Sequence, residues 1–196
     1  MALGTATDPY ELRFDTGRIC LDLIATTHPV ERLDRVEVLR AWITGSGLVP
    51  PGTPLSHADA SWLAGFRELR GQAARLVRSR SAPGTHPYGL ALARVNDLAV
   101  AAPPAPRAVR GEDGALVREL TRPPECAALL GALARDAVEL LTDPVARASL
   151  RQCEGDNCPI VYVDTSRGHR RRWCSSEICG NRERVARHRR RAALAR

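Results

Sequence analysis

Four cysteines stand close together toward the C-terminal end of the chain: Cys153, Cys158, Cys174 and Cys179, spaced C-x4-C-x15-C-x4-C. Four thiolates can hold Zn²⁺ in a tetrahedron at about 2.3 Å. Each short-range pair closes a small loop, so the cage forms at low entropic cost. Two matched pairs within 27 residues point to one structural Zn²⁺, and disulfides or unlinked thiols are the rival readings. Cys20 and Cys126 instead have apolar neighbours and read as small core residues.

The residues around the cysteines fit a zinc module. Gly155 and Asn157 can take the positive φ of a tight knuckle. Ile160 to Val163 is a strand signal, and Asp164 to Gly168 a turn signal. A helix should begin near Cys174, capped by Ser175 or Ser176. Knuckle, short strand or hairpin, then helix is a treble-clef-like plan. Apart from cysteine, residues 151–196 hold few large apolar side chains, so metal must supply much of the folding energy.

Charge separates the same segment from the rest. The chain has 29 arginines and no lysine. Residues 1–150 carry 17 Arg and 17 acidic residues, whereas residues 151–196 carry 12 Arg and five acids. The whole net charge of +7 therefore lies in the last quarter, as in a footprint for a polyanion. Arg170, Arg171 and Arg172 precede Trp173, and Arg184, Arg187, Arg190 and Arg191 lie on the final helix. At 100° per residue, Gly180, Arg184, Arg187 and Arg191 share one face, with Gly180 leaving room for a phosphate. Ile178, Val185 and Ala192 share another, and Arg182 is expected to bond Asp164 or to offset the zinc–thiolate charge. Duplex DNA is the expected partner, because a basic helix beside a zinc knuckle fits a major groove. No aromatic platform for stacking RNA bases is evident.

The preceding 150 residues must position this module. Arg13-Phe14 is a candidate short strand, and Ile19 to Ile24 is helix or strand. Leu33, Val36, Leu39, Arg40 and Ile43 follow helical spacing, ended by Gly45 and Gly47. After the Pro50–Pro54 loop, Ser56 is a plausible cap for a helix with the stripe Leu63, Phe66, Leu69, Ala73, Leu76 and Val77, ending near Arg80. Another helix is expected from Pro87 to Val100, its stripe Leu90, Leu92, Ala93, Val95 and Leu98. Residues 107–110 and 115–120 flank an Asp-Gly turn and predict a hairpin. Pro123-Pro124-Glu125 opens a helix to about Leu141, and Asp143-Pro144 caps a short one. The expected fold is α+β: a mostly helical domain with a small antiparallel sheet over 1–150, then the finger over 151–196.

The motifs exclude several functions. There is no glycine-rich phosphate loop, nucleophile elbow or paired-His motif. Asp22, His28 and Glu31 are near in sequence but read as surface or capping residues, so the chain is not expected to be an enzyme. His169 and His188 are alternative zinc ligands only if a thiolate is displaced. No apolar run spans a membrane, and residues 1–10 lack the pattern of a secretion signal, so a cytoplasmic location is expected.

Asp164-Thr165-Ser166-Arg167, Arg171-Arg172-Trp173-Cys174-Ser175 and Cys179-Gly180-Asn181-Arg182 resemble the CGNR zinc-finger family. Gly168-His169 stands where that family often has Asn, and Ser176 where Met is common. Gly17 to Thr27, with Leu21-Asp22-Leu23, is similar to the opening of the ABATE-type domain, with Ala25 in place of Asn. The resemblance implies a stress-induced transcription regulator that binds DNA through the finger. It implies that Asp164, Trp173, Asn181 and Arg182 support the zinc site. The N-terminal domain would then sense a small-molecule effector, or contact RNA polymerase or another regulator. A zinc-stabilised protein-interaction module without DNA binding is the alternative.

Overall fold

The apolar stripe of one long helix organises the N-terminal part. In the computed structural model, which describes residues 12–78 and 85–194, this is α3 (Ala60–Arg78). Leu63, Phe66, Leu69, Ala73, Leu76 and Val77 are all buried, as their spacing predicts. Around it pack α1 (Ile19–Ala25), α2 (Val36–Gly45), α4 (His86–Ala99) and α5 (Cys126–Thr142). Trp42 of α2 meets Phe66 edge-on at 6.1 Å between centroids, a favoured aromatic geometry. Cys20 lies in this core and Cys126 packs at its border.

The hairpin forms as the Asp-Gly turn predicts. Strand β1 (Pro106–Arg110) pairs antiparallel with β2 (Leu116–Leu120), with Arg110 opposite Leu116. After α5 comes α6 (Pro144–Ala148), whose first turn is capped by Asp143 accepting from the Val145 amide at 2.8 Å. A second antiparallel pair follows, β3 (Leu150–Gln152) with β4 (Val161–Val163). A π-helical turn over Ser176–Gly180 then runs into α7 (Asn181–Leu194). The chain is thus about half helical with two small antiparallel sheets.

Several local expectations need correction. Arg13-Phe14 forms no strand; Phe14 packs beside Trp42 and over Gly45, where a Cβ would meet its ring at 2.7 Å. Ile19 to Ile24 resolves to helix. The cap of α3 is Asp59, whose Oδ1 accepts from the Ser61 and Trp62 amides at 2.9 and 3.2 Å, not Ser56. In α4 the buried residues are Ala91 and Val95, while Leu90 and Leu92 face outward. Of the expected stripe, Val95 is buried and Leu98 packs against the core, while Ala91, outside it, completes the inward face. The expected end of α3 near Arg80 lies outside the described residues.

One close approach gives a direct test. A Cβ on Gly131 of α5 would lie 2.5 Å from the Ala101 carbonyl oxygen. Gly131→Ala must therefore push the connector after α4 outward, at a cost of about 1–3 kcal/mol. Chemical unfolding should show a lower midpoint with zinc content unchanged, and an unaltered midpoint would contradict this packing.

Asp22 of α1 is buried and accepts from the Thr16 amide and hydroxyl at 3.1 and 2.8 Å. Burial pushes its carboxyl up from 3.8 to about 6, against those two hydrogen bonds. In the window between these values the folded chain holds a proton that the unfolded chain has released. Asp22 therefore makes stability fall as pH rises through that window, with no further change above it. Asp22→Asn keeps the acceptor and removes the charge. Its stability gain over wild type should grow from about pH 4 to 6, reaching on the order of 2–3 kcal/mol. Equal stability differences at both ends of the window in urea titrations would contradict the assignment.

Candidate metal centre and the basic helix

The two cysteine pairs reach one point from separate elements. Cys153 follows β3, and its amide donates to the Ile160 carbonyl at 2.9 Å, closing the knuckle that carries Cys158. Asn157 takes φ 56°, the left-handed conformation that the knuckle requires. Gly155 has no positive φ, and its need is space instead: a Cβ there would meet Cys179 Cβ at 3.2 Å and Sγ at 3.3 Å. Cys174 precedes the π-helical turn and Cys179 lies within it. Ser175 is the cap, its hydroxyl accepting from the Glu177 and Ile178 amides, both at 3.2 Å.

All four Sγ atoms lie within 4.8 Å of one another, and all four cysteines are buried. A tetrahedral Zn²⁺ with bonds of about 2.3 Å needs sulfurs about 3.8 Å apart. Cys174 Sγ lies 3.7 Å from Cys158 Sγ and 3.6 Å from Cys179 Sγ. The donor set and its spacing therefore fit one structural Zn²⁺. Cys153 Sγ also accepts from the Gly155 and Cys174 amides at 3.4 and 3.3 Å, support typical of a metal-bound thiolate. Among the described residues no other group of three or more His, Cys, Asp or Glu side chains forms such a cage. The His169 ring bonds the Asp164 carbonyl at 3.0 Å, and His188 is exposed on α7, so neither joins the cluster.

The charge of the centre is offset from the other end of the chain. Arg13 is buried and donates to Cys174 Sγ at 3.4 Å, while Asp15 holds it at 2.9 Å. The hydrogen bond from Cys158 draws the Cys174 thiol below the usual range, against burial, and Arg13 adds to this. Arg13 thus fills the role that sequence reasoning gave to Arg182. The partners are 161 residues apart in sequence, and no local pattern signals the contact.

The supporting residues divide similarly. Asp164 is buried and accepts from the Ser166 amide and hydroxyl at 3.0 and 2.6 Å and from the Arg171 amide at 3.0 Å. The Ser166 hydrogen bond leads in holding its carboxyl below the usual carboxylate range. Asp164 is thus held by Ser166 and Arg171 rather than by Arg182. Trp173 and Tyr162 pack with the cysteines, as expected. Asn181 is exposed at the start of α7. His169 has φ 46°, a conformation that His and Asn tolerate better than most residues.

The finger is joined to the helical part through two seams. Leu150, Val161 and Val163 pack into the main core, and Val163 donates to the Thr16 carbonyl at 2.8 Å. Ala25 of α1 packs into the zinc cluster itself. The Asp22, His28 and Glu31 grouping does not converge on a site. Asp22 is bonded to Thr16, and Glu31 pairs with Arg70 at 2.5 Å and accepts from the Leu33 amide at 2.9 Å.

The arginines expected to contact a polyanion fall into two sets. Arg171 lies over Tyr162 and donates to the Trp173 and Cys174 carbonyls, so it is structural. Arg172 pairs with Glu154 at 2.6 Å, and Arg190 with Glu183 at 2.7 Å. Arg184 donates to the Gly180 and Ser176 carbonyls at 3.3 and 3.1 Å. Arg170, Arg187 and Arg191 remain exposed without an ion pair among the described residues. Gly180 is buried, and a Cβ on it would meet the Ser175 carbonyl and the Trp173 ring at 3.5 Å. It faces the finger's own core and offers no phosphate an approach. Val185 is 43% exposed, so the expected apolar face of α7 is not packed.

Comparison with known families agrees with the geometry. Residues 17–144 match ABATE, described as "Putative stress-induced transcription regulator". Residues 149–192 match the CGNR zinc finger. Comparison with curated proteins gives no match. Among the described residues no helix is long and apolar enough to cross a membrane. The chain belongs to the ABATE family and carries a CGNR zinc finger after its ABATE domain.

Proposed function

We propose that the protein is a zinc-dependent transcription regulator that binds duplex DNA through its finger. The observation that carries this reading is α7: a helix with six arginines and one acidic residue, none of its described side chains buried. A helix that is polar all round needs a partner or a solvated role. One that projects from a zinc knuckle and bears unpaired guanidinium groups suits a DNA groove. Residues 1–150 act as the regulatory domain and residues 151–196 as the DNA-binding one, in the cytoplasm and without catalytic activity. The zinc fixes the knuckle, the cap at Ser175 and hence the direction of α7.

The N-terminal domain senses a ligand or mediates protein contacts in this reading. The β1–β2 hairpin favours the second role, since Leu116 and Val117 are exposed on a ribbon without a covering layer. The alternative reading is a zinc-stabilised module that docks on the transcription machinery without touching DNA. Titration of zinc-loaded protein onto duplex DNA at low salt separates the two. Micromolar or tighter binding that weakens steeply with salt is expected. No affinity for duplex, with protein partners retained after nuclease treatment, would establish the alternative.

A further inference from the structure

The net charge of zero over residues 1–150 conceals a strongly basic face. Helix α3 contains Arg67, Arg70, Arg75 and Arg78, with Glu68 as its only acid. Glu68 faces α4, where Arg94 holds it at 2.7 Å, and Arg70 is taken by Glu31. Arg67, Gly71, Arg75 and Arg78 follow at i, i+4, i+8 and i+11, one face of the helix, with half-buried Arg67 held by its Nε on the Leu33 carbonyl at 2.7 Å. Arg75 and Arg78 are exposed, with no hydrogen bond or ion pair among the described residues. Gly71, between Arg67 and Arg75, is bare: a Cβ there would have no atom within 4 Å. The face therefore offers guanidinium groups around an open stretch of helix backbone.

This face borders a cavity of about 430 Å³ that Arg67, Arg75 and Arg78 help to line. Arg78 also lines the next cavity, about 270 Å³, together with Arg151, Gln152 and Pro159. Gln152 and Pro159 in turn line a third, about 460 Å³, whose floor is the zinc knuckle and whose rim includes His28. His28 feels the charge of Arg182, at the start of α7. Shared residues thus join three depressions into one groove from α3, past β3 and the knuckle, toward the base of the DNA-proposed helix. Arg151 anchors one guanidinium nitrogen on the Ala148 and Leu150 carbonyls at 2.7 and 3.0 Å, which fixes it at the groove's midpoint.

We propose that α3 of the ABATE domain and Arg151 at the start of the finger form a second phosphate-contacting surface, so that the duplex engaged by α7 is also held along its backbone there. This rests on the DNA-binding reading of the finger. The shape favours a polymer over a compact anion, because the arginines are spread along a line rather than gathered about one point. From Arg67 to Arg78 the helix rises about 16 Å, roughly five base pairs of duplex. These contacts reach phosphates, so they add affinity and register without sequence preference.

The test uses the full zinc-loaded chain and a 30-base-pair duplex of arbitrary sequence, with affinity followed over a series of salt concentrations. Arg75→Gln with Arg78→Gln removes two exposed charges and should leave melting temperature and zinc content unchanged. The double variant is expected to bind several-fold to tenfold more weakly, with a log–log salt slope shallower by about 1.8. Arg187→Gln with Arg191→Gln is the parallel probe of the finger. Weakening by the α7 pair alone leaves the finger's role standing and overturns the second surface. Weakening by the α3 pair alone removes the finger's role and so overturns a duplex shared between α7 and α3. No binding by the wild-type chain overturns both. Micromolar binding of pyrophosphate, lost in the α3 variant while DNA affinity stays unchanged, would also overturn the proposal in favour of a small anionic ligand.

Discussion

Chelating the zinc should unfold the finger and also lower the melting temperature of the helices before it. Cys153, Cys158, Cys174 and Cys179 supply most of the finger's own core, with Ile160, Tyr162 and Ala25. Without the metal, four buried thiols remain in place of a charged cage, and the knuckle loses what holds its ends together. Structural zinc of this class contributes on the order of 10 kcal/mol at neutral pH. From composition alone the loss should stop at the finger. The packing says otherwise, because Leu150, Val161 and Val163 belong to the main core and Arg13 and Ala25 to the zinc cluster. Releasing the β3–β4 pair exposes apolar surface of α1, so the helical transition should remain cooperative but move down by several degrees. Cys174→Ser should reproduce the effect of a chelator. Thermal scans by circular dichroism, with metal content measured on the same samples, decide this. An unchanged scan after complete zinc removal would refute a folding role for the metal.

Replacing Arg170, Arg187 and Arg191 together by alanine should weaken duplex binding at least tenfold and flatten its salt slope by about 2.7. These three are exposed and without ion pairs among the described residues, so their removal should leave the melting temperature within a degree or two. Two other arginines provide the contrast. Arg171→Ala would remove a donor from the Trp173 carbonyl and one of two arginine donors from the Cys174 carbonyl, and would uncover Tyr162, and Arg184→Ala would remove the side-chain donor to the Gly180 and Ser176 carbonyls. Those substitutions should lower stability first, by about 1–3 kcal/mol, and affect DNA only as a consequence. If the triple variant kept full affinity while Arg171→Ala lost it without destabilisation, the division between contact and structural arginines would be reversed.

Features set by short-range chemistry were legible in the sequence. The cysteine spacing identified the cage, because each pair needs only a tight loop. The Asp-Gly turn identified the hairpin, and the spacing in α3 its buried face. Features that depend on the fit between distant elements were not legible. Arg13 reaches Cys174 across nearly the whole chain. Gly155 serves close packing where conformational freedom was expected, and Gly180 faces the finger's core where phosphate access was expected. Ala91, not the larger Leu90 or Leu92, sets the inward face of α4. The arginines opposite the apolar stripe of α3 were legible, but a charge count over the whole domain gave them no weight. Arginine counts marked the finger as the basic part of the chain, but only geometry showed which of those arginines are already engaged.

The central claim is that zinc shapes a finger whose helix binds duplex DNA. It is tested most directly by measuring the affinity of the full chain for duplex DNA before chelation, after chelation and after zinc is restored. The zinc-loaded protein should bind with steep salt dependence, lose the duplex on chelation, and regain it with one equivalent of zinc. A zinc-loaded chain with no affinity for duplex at low salt, or one whose affinity survives complete removal of the metal, would contradict the claim.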